Sequence, residues 1–137
     1  MKILITGAGG QLGNELSAIL KNGKSEIGEI PACFKDAVVI GVDVDRLDIT
    51  DFDAVENFVT SEKPDIIINS AAMTNVDGCE TMQDVAYKVN AAGVRNLAVA
   101  AENIGAKFIH FSTDYVCKGD GNVPYTEWDK TDPQSVY

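Results

Sequence analysis

The sequence is poor in basic residues, in histidine and in long apolar runs. Its 137 residues contain 11 Lys and Arg against 21 Asp and Glu, so the formal net charge is −10, and there is a single His. This excess of negative charge repels phosphate backbones and anionic lipids, which argues against nucleic acid or a membrane as a partner. No signal peptide or membrane-spanning run is visible, because the first apolar stretch ends at a glycine turn by residue 7.

Cysteine is scarce as well. Cys33, Cys79 and Cys117 are odd in number and form no Cys-x-x-Cys pair, so the sequence indicates neither a disulfide framework nor a zinc ribbon. We therefore expect reduced thiols in a cytoplasmic protein without a metal site. Apolar residues make up 45% of the chain, which is enough for one domain of this length to bury a core.

The first 22 residues contain the most informative pattern. Residues 3–6 form a short apolar run, Gly7, Gly10 and Gly13 follow in a G-x-x-G-x-x-G spacing, and a helical pattern begins at Gln11. This order of strand, glycine turn and helix points backbone N–H groups and the positive end of a helix dipole at an anion, here the pyrophosphate of a dinucleotide. The alternative is a glycine turn that only closes the connection between a strand and a helix.

The rest of the chain alternates between predicted strands and helices. Strand patterns cover 2–6, 37–42, 65–69 and 106–112; helical patterns cover 11–21, about 52–62 and about 82–104; and 23–36 and the tail from 113 are predicted to be irregular. Such alternation predicts an α/β fold with a Rossmann-type doubly wound parallel sheet. We expect the strand order 3-2-1-4-5, with the first strand central and residues 65–69 in the fourth position.

Polar residues follow the carboxyl ends of these predicted strands. Asp43 ends the second, residues 69–74 follow the fourth position, and residues 112–115 follow the last. Because the carboxyl ends of parallel strands meet at one edge, these groups should converge on one ligand-binding rim. Asp43 is placed to accept hydrogen bonds from an adenosine ribose and disfavours the 2′-phosphate of NADP, although Arg46 nearby leaves the choice between NADH and NADPH open.

Several rim residues have a structural alternative beside the functional one. Asp43 could be a solvated residue at a strand end, and Asp48 could either flank an adenine or cap a helix. The small residues of 71–72 could admit a cofactor or simply pack. His110 lies inside an apolar strand and is predicted to be a packed core histidine, and Asn90 is predicted to be exposed on its helix.

These residues resemble the dTDP-4-dehydrorhamnose reductase family, an extended group of short-chain dehydrogenases/reductases, over the whole chain. The segments that carry the resemblance include Gly7-Ala8-Gly9-Gly10-Gln11-Leu12-Gly13, Leu47-Asp48-Ile49-Thr50-Asp51, Ala71-Ala72-Met73-Thr74-Asn75-Val76-Asp77, Ser112-Thr113-Asp114-Tyr115-Val116 and Pro133-Gln134-Ser135-Val136-Tyr137. The glycine loop with Gln-Leu-Gly and the Ser-Thr-Asp-Tyr-Val run are the most specific of these.

The resemblance implies a reaction and a set of site residues. The family reduces the 4-keto group of dTDP-6-deoxy-L-lyxo-4-hexulose to dTDP-L-rhamnose, a precursor of cell-surface polysaccharide, with NADH or NADPH. By position, the implied cofactor-binding residues are Gly7, Gly10, Gln11, Leu12, Gly13, Asp43, Asp48, Ile49, Ala71, Ala72, Met73 and Phe111. Thr113 and Asp114 would face the dTDP-sugar. Thr113 would also hold the reacting oxygen, and Tyr137 would donate the proton as the tyrosine of the family's Tyr-x-x-x-Lys pair.

The family's lysine would lie four residues after Tyr137, where this sequence has already ended. The resemblance therefore implies that residues 1–137 are an NAD(P)-binding Rossmann domain without the substrate-binding C-terminal portion. Alone, this piece should bind NAD(H) weakly and not turn over. We also expect the last strand to be an open sheet edge that promotes association, with a homodimer as a candidate assembly. The alternatives are an NADP-binding regulatory subunit like that of methionine adenosyltransferase, and another sugar-nucleotide reductase or epimerase.

Overall fold

The computed structural model describes residues 1–137, which form six strands and five α-helices. The strands are β1 (Lys2–Thr6), β2 (Lys24–Ser25), β3 (Gly28–Glu29), β4 (Val38–Val42), β5 (Ile66–Asn69) and β6 (Lys107–His110). The α-helices are α1 (Gln11–Asn22), α2 (Phe52–Glu62), α3 (Val76–Thr81), α4 (Gln83–Tyr87) and α5 (Val94–Ile104). A π-helical segment, Lys88–Gly93, joins α4 to α5, and short 3₁₀ turns occur at Ala32–Phe34 and Asp114–Val116.

The main sheet is parallel and has the order β4-β1-β5-β6. The predicted α/β fold is confirmed, and β1 is central, as expected. The sheet differs from the expected order 3-2-1-4-5 in one place, because no strand lies outside β4. The residues between β4 and α2 form turns that face the carboxyl edge of the sheet instead. Residues 23–36 are also more ordered than expected, since β2 and β3 pair there as an antiparallel hairpin.

The helix ends have clear chemical causes. Gly23 and Gly105 follow α1 and α5 in the left-handed conformation, with φ of 74° and 71°, and their N–H groups bond back to the last helical turns. At the start of α2, Asp51 accepts a hydrogen bond from the Ala54 N–H at 3.0 Å. This bond satisfies one of the N–H groups that the first turn of a helix leaves unpaired.

The core lies between the sheet and the pair α2 and α5. It contains Leu4, Val42, Leu47, Ile49, Val55, Val59, Ile67, Leu97, Ala100 and Ala101. Leu4 and Ile67 are partners in the β1–β5 register and are fully buried. Removal of such apolar surface from water is the main favourable contribution to folding here.

The predicted helix over 82–104 is present, but it is not a uniform α-helix. Its middle widens into the π-helical segment that includes Gly93, and a Cβ at Gly93 would lie 2.7 Å from Cγ1 of Ile49. Because Gly93 has no side chain, the turn that contains Ile49 can pack directly against the helix. Val85, predicted to lie on the buried face, is instead 48% exposed, because it precedes the widened turn on the short helix α4.

The tail after β6 is held by local hydrogen bonds. The hydroxyl of Tyr125 accepts from the Gly119 N–H at 2.8 Å, and Asp129 accepts from the N–H and the hydroxyl of Thr126 at 2.6 and 3.0 Å. The two bonds from Thr126 hold the pKa of Asp129 below its usual value, because they stabilise the carboxylate. The tail is therefore a series of defined turns.

We expect Ile67→Ala to lower the free energy of unfolding by about 2–5 kcal/mol, since it opens a cavity in a fully buried part of the central sheet. The matched control is Ile27→Ala, because Ile27 is fully exposed in the β2–β3 turn and its loss should change stability by less than about 0.5 kcal/mol. Urea unfolding followed by circular dichroism measures both. Equal effects of the two substitutions would contradict the location of the core.

Candidate functional site

The glycine turn between β1 and α1 packs against neighbouring backbone with no room for side chains. Gly7 has φ of 69°, and a Cβ there would lie 2.6 Å from the backbone nitrogen of Ala71. A Cβ at Gly13 would lie 2.2 Å from the carbonyl oxygen of Gly7. The first glycine thus permits the turn beside the segment after β5, and the third lets α1 begin directly against that turn.

The N terminus of α1 has no side-chain cap. Gly10 is the N-cap residue and offers no side chain, and the first turn contains no acidic residue. By contrast, Asp51 caps α2 and Asn75 caps α3. The first N–H groups of α1, on Gln11 and the two residues after it, therefore have no partner within the helix. Unpaired N–H groups at a helix start are a ready site for an anion.

Asp43 is fixed to the same loop. Its Oδ2 accepts a hydrogen bond from the Gly9 N–H at 2.9 Å, and the adjacent Ala8 N–H donates to the Val42 carbonyl at 3.1 Å. The end of β4 and the glycine loop are thus joined side by side. Oδ1 of Asp43 has no protein donor and remains free to accept. Arg46 points elsewhere, because its guanidinium carbon lies 5.4 Å from the centre of the Phe58 ring.

A first cleft of about 310 Å³ lies beside this loop, and we call it the Asp43 cleft. Its lining includes Gly7, Gly10, Asp43, Val44, Leu47, Asp48, Ile49, Ala71 and Ala72. The Asp48 carboxylate accepts from the N–H and hydroxyl of Thr50 at 2.9 and 2.8 Å, and α2 is capped by Asp51, so Asp48 is not the helix cap. The Ile49 carbonyl accepts from the buried amide of Asn96 at 3.0 Å, which holds this wall in place.

A second cleft of about 630 Å³ continues on the other side of the α1 N terminus, and we call it the Phe111 cleft. Gln11, Leu12, Phe111, Ser112 and Tyr137 line it. Gly10, Ser70, Ala71 and Ala72 line both clefts, so the two meet at the glycine loop. The result is one elongated depression along the carboxyl edge of the sheet, with the uncapped helix start at its middle.

Asn90 fastens the segment after β5. Its side-chain oxygen accepts from the Met73 N–H at 2.8 Å and its side-chain nitrogen donates to the Met73 carbonyl at 3.0 Å. Asn90 is half-buried, so the expectation of an exposed helical asparagine is wrong. Little in the sequence indicates this role of Asn90, because the pairing depends on a chain segment 17 residues away. Met73 lines neither the Asp43 cleft nor the Phe111 cleft. Its contact with the site is the pairing of its backbone with Asn90.

The far end of the Phe111 cleft opens into a pocket of about 150 Å³, which we call the Tyr137 pocket. Its lining includes Asn90, His110, Phe111, Thr113 and Tyr137. The Thr113 hydroxyl oxygen accepts from the Tyr115 N–H at 3.2 Å and lies 3.3 Å from Oδ1 of Asp114, to which it donates. Asp114 lies in the 3₁₀ turn that follows and does not line the pocket.

Tyr137 is held in this pocket by two contacts. Its ring meets the ring of Tyr115 edge to face, with centres 5.4 Å apart. The preceding Val136 N–H donates to Oε1 of Glu80 on α3 at 2.8 Å. Glu80 belongs to the segment near residues 71–77, yet its role in anchoring the chain before Tyr137 could not be read from sequence spacing.

His110 is exposed, so the expectation of a packed core histidine is wrong. It is the last residue of β6, which is an edge strand of the sheet within residues 1–137. Its Nδ1 lies 3.0 Å from Nδ2 of Asn69 on β5. The ring is parallel to that of Phe108, with centres 6.4 Å apart.

No group of three or more His, Cys, Asp or Glu side chains is arranged to hold a metal ion. No helix combines the length and the apolar character that crossing a bilayer requires.

Comparison with known proteins identifies the family. The model of the RmlD substrate binding domain family matches residues 1–137. The chain belongs to this family. It is 41% identical over 136 residues to the spore coat polysaccharide biosynthesis protein SpsK of Bacillus subtilis, covering 99% of this chain and 44% of that protein.

Two solved structures are similar to the fold. A dTDP-4-dehydrorhamnose reductase from Clostridium acetobutylicum has a TM-score of 0.90 and 48% identity, and the match covers 100% of this chain and 45% of that one. The reductase from Bacillus anthracis in complex with NADP has a TM-score of 0.86 and 38% identity, over 99% of this chain and 44% of that one. The chain therefore spans less than half the length of these relatives.

We expect Asn90→Ala to loosen the segment around Met73, because two backbone groups lose their partners. At about 0.5–1.5 kcal/mol for each hydrogen bond, the loss predicts an increase in Met73 amide exchange of roughly tenfold or more. Hydrogen exchange followed by NMR measures this, and Asn122→Ala, an exposed change in the tail, is the control. Unchanged exchange at Met73 would contradict the pairing.

Proposed function

We propose that residues 1–137 are the cofactor-binding part of an NADH- or NADPH-dependent dTDP-4-dehydrorhamnose reductase. The observation that carries this proposal is the uncapped N terminus of α1 at the middle of an elongated depression, with Thr113 and Tyr137 beyond one end. The names of the two related structures, and the NADP bound in the one from Bacillus anthracis, agree with it. The proposed reaction reduces the 4-keto group of dTDP-6-deoxy-L-lyxo-4-hexulose to dTDP-L-rhamnose.

The depression fits an extended dinucleotide. The N–H groups at Gln11 and Leu12 would bind the pyrophosphate, since no protein group competes for them. The adenosine would lie in the Asp43 cleft, with the free Oδ1 of Asp43 accepting from the ribose and Ile49 against the base. The other half of the cofactor would lie in the Phe111 cleft, beside Ala72. Gly7 and Gly13 contribute to the site because they allow close packing of the turn. Met73 contributes through its backbone, which pairs with Asn90.

The residues beyond the Phe111 cleft match the needs of ketone reduction. When bound, the nicotinamide cofactor supplies the hydride. As the carbonyl oxygen gains negative charge, it requires a hydrogen bond and a proton at the same time. In our proposal the Thr113 hydroxyl turns its proton from Asp114 to this oxygen, the Tyr137 phenol donates the proton, and Asp114 binds the sugar. A free phenol has a pKa of about 10, so the cation of the family's Tyr-x-x-x-Lys pair would favour the phenolate.

Net charge and thiol chemistry support the cellular setting that we propose for the enzyme. We place it in the cytoplasm, where nucleotide sugars and reduced thiols fit its chemistry, and we propose no nucleic-acid partner because the net charge is −10.

We expect tighter binding of NADH than of NADPH, because the carboxylate of Asp43 would repel a 2′-phosphate and Arg46 is engaged with Phe58. Asp43→Asn should reduce the ratio of NADH affinity to NADPH affinity, since the substitution removes the negative charge and keeps a hydrogen-bond acceptor. Fluorescence titration with both nucleotides measures this, with Asp45→Asn, an exposed neighbouring acid, as the control. A clear preference for NADPH would refute the role of Asp43.

We expect Tyr137→Phe in the full-length protein to lower kcat by about 10²–10⁴-fold, because the proton donor is lost while the ring contact to Tyr115 can remain. The affinity for the nucleotide should stay nearly the same. Stopped-flow oxidation of NADH with the keto sugar measures kcat, and fluorescence titration measures the affinity for the nucleotide. Tyr87→Phe, at an exposed position on α4, is the control. Full activity of the Tyr137 variant would refute its role.

A further inference from the structure

The wall that Ile49 forms in the Asp43 cleft belongs to neither a strand nor a helix. Residues 47–50 lie between β4 and α2, so no neighbouring strand is available for their backbone groups. Ile49 is nevertheless only 5% exposed. Because a buried carbonyl without a partner is costly, the Ile49 carbonyl requires a hydrogen-bond donor from outside the sheet.

One buried side chain provides that donor. Asn96 on α5 is 6% exposed, and its Nδ2 donates to the carbonyls of Ile49 at 3.0 Å and of Thr50 at 3.4 Å. The side-chain NH₂ has two hydrogens, so it can donate to both carbonyls at once. Two consecutive peptide groups of the wall are thus bonded to a residue 47 and 46 positions further along the chain.

The same helix makes two further contacts with this wall. Val89 lines the Asp43 cleft together with Ile49, and a Cβ on Gly93 would lie 2.7 Å from Cγ1 and 2.9 Å from Cδ1 of Ile49. Val89, Gly93 and Asn96 are four and three positions apart, so they are neighbours on the helix surface. Val89 and Gly93 belong to the π-helical segment, and such widened turns are frequent at functional sites. Packing and hydrogen bonds together therefore fix where Ile49 lies.

We infer that Asn96 is a positioning residue for the adenosine half of the nucleotide. The inference rests on the proposed function, in which Ile49 lies against the base. Asn96 lines none of the clefts described above and acts through the Ile49 wall. All the contacts involved are made between residues 49 and 96. Because a wall that is set before the ligand arrives has little freedom left to lose, removal of the Asn96 donor should weaken binding of the adenosine half.

The test uses the full-length protein and two ligands that share the adenosine half. ADP-ribose contains the adenosine, the pyrophosphate and the second ribose of NADH, but no nicotinamide. For Asn96→Ala, the Kd values of both ligands should rise by the same factor of roughly 3–10, as expected for one lost hydrogen bond, and kcat at saturating NADH should change less. Isothermal titration calorimetry measures the Kd values. A residue that only stabilised the fold would lower the midpoint of thermal unfolding and leave both Kd values unchanged.

The matched control is Asn103→Ala. Asn103 lies on the same helix, α5, and its Nδ2 donates to Oε1 of Glu56 on α2 at 2.7 Å in an exposed position. The substitution therefore removes one asparagine hydrogen bond between α5 and another element without changing the Asp43 cleft. Both Kd values should stay within twofold of those of the unaltered protein.

Two further measurements decide the inference if Asn96→Ala does not fold. Gly93→Ala should also raise both Kd values, because its methyl group would displace Ile49 while the Asn96 amide is kept. In the unaltered protein labelled with ¹⁵N-asparagine, ADP-ribose should shift the side-chain NH₂ signals of Asn96 in the NMR spectrum and leave those of Asn103 in place. Unmoved Asn96 signals at saturating ADP-ribose would overturn the inference without any variant.

The outcomes distinguish failure of this inference from failure of the proposed function. If both ligands bind and the sugar is reduced, but Asn96→Ala leaves the Kd of ADP-ribose within twofold, the role of Asn96 is wrong and the proposed function stands. A loss of kcat as large as the loss of affinity would also contradict the inference, because the effect would not be confined to the adenosine half. If neither NADH nor ADP-ribose binds the unaltered full-length protein, the proposed function itself fails.

Discussion

The close approach of backbone around the glycine turn is the constraint on which the rest of the site depends. The Gly7 turn passes the segment at Ala71, and α1 starts against the Gly7 carbonyl at Gly13, at distances that leave no space for a side chain. This packing places the unpaired N–H groups of α1 at the centre of the carboxyl edge. A bulkier turn would push the helix start away from the sheet, and the two clefts would no longer meet.

Hydrogen bonds from distant segments then hold the walls of the depression. Asp43 on the end of β4 accepts from Gly9, Asn96 on α5 donates to the Ile49 carbonyl, and Asn90 pairs with the Met73 backbone. Each wall is thus a loop fixed by a side chain from another element. Rigid loops of this kind can present a preorganised site, because little ordering remains to be done when a ligand binds.

The parts of the fold that could be predicted were those with strong local signals. The apolar runs and the helical periodicity located four parallel strands and the helices that separate them, and the glycine spacing located the turn. The absence of a strand after β4 could not be predicted, because residues 43–51 contain no pattern that excludes one. His110 was misplaced for a related reason: an apolar run predicts a strand, but not whether that strand is an edge.

The sequence by itself determined the class of fold, the glycine turn and which polar residues follow strand ends, because these depend on residue type and short spacing. Only the tertiary structure decided which of those residues share a pocket and how Asn90 and Glu80 hold the chain near Met73 and Tyr137. Such contacts join residues 17 to 56 positions apart, and their geometry is set by packing between elements and by no local preference.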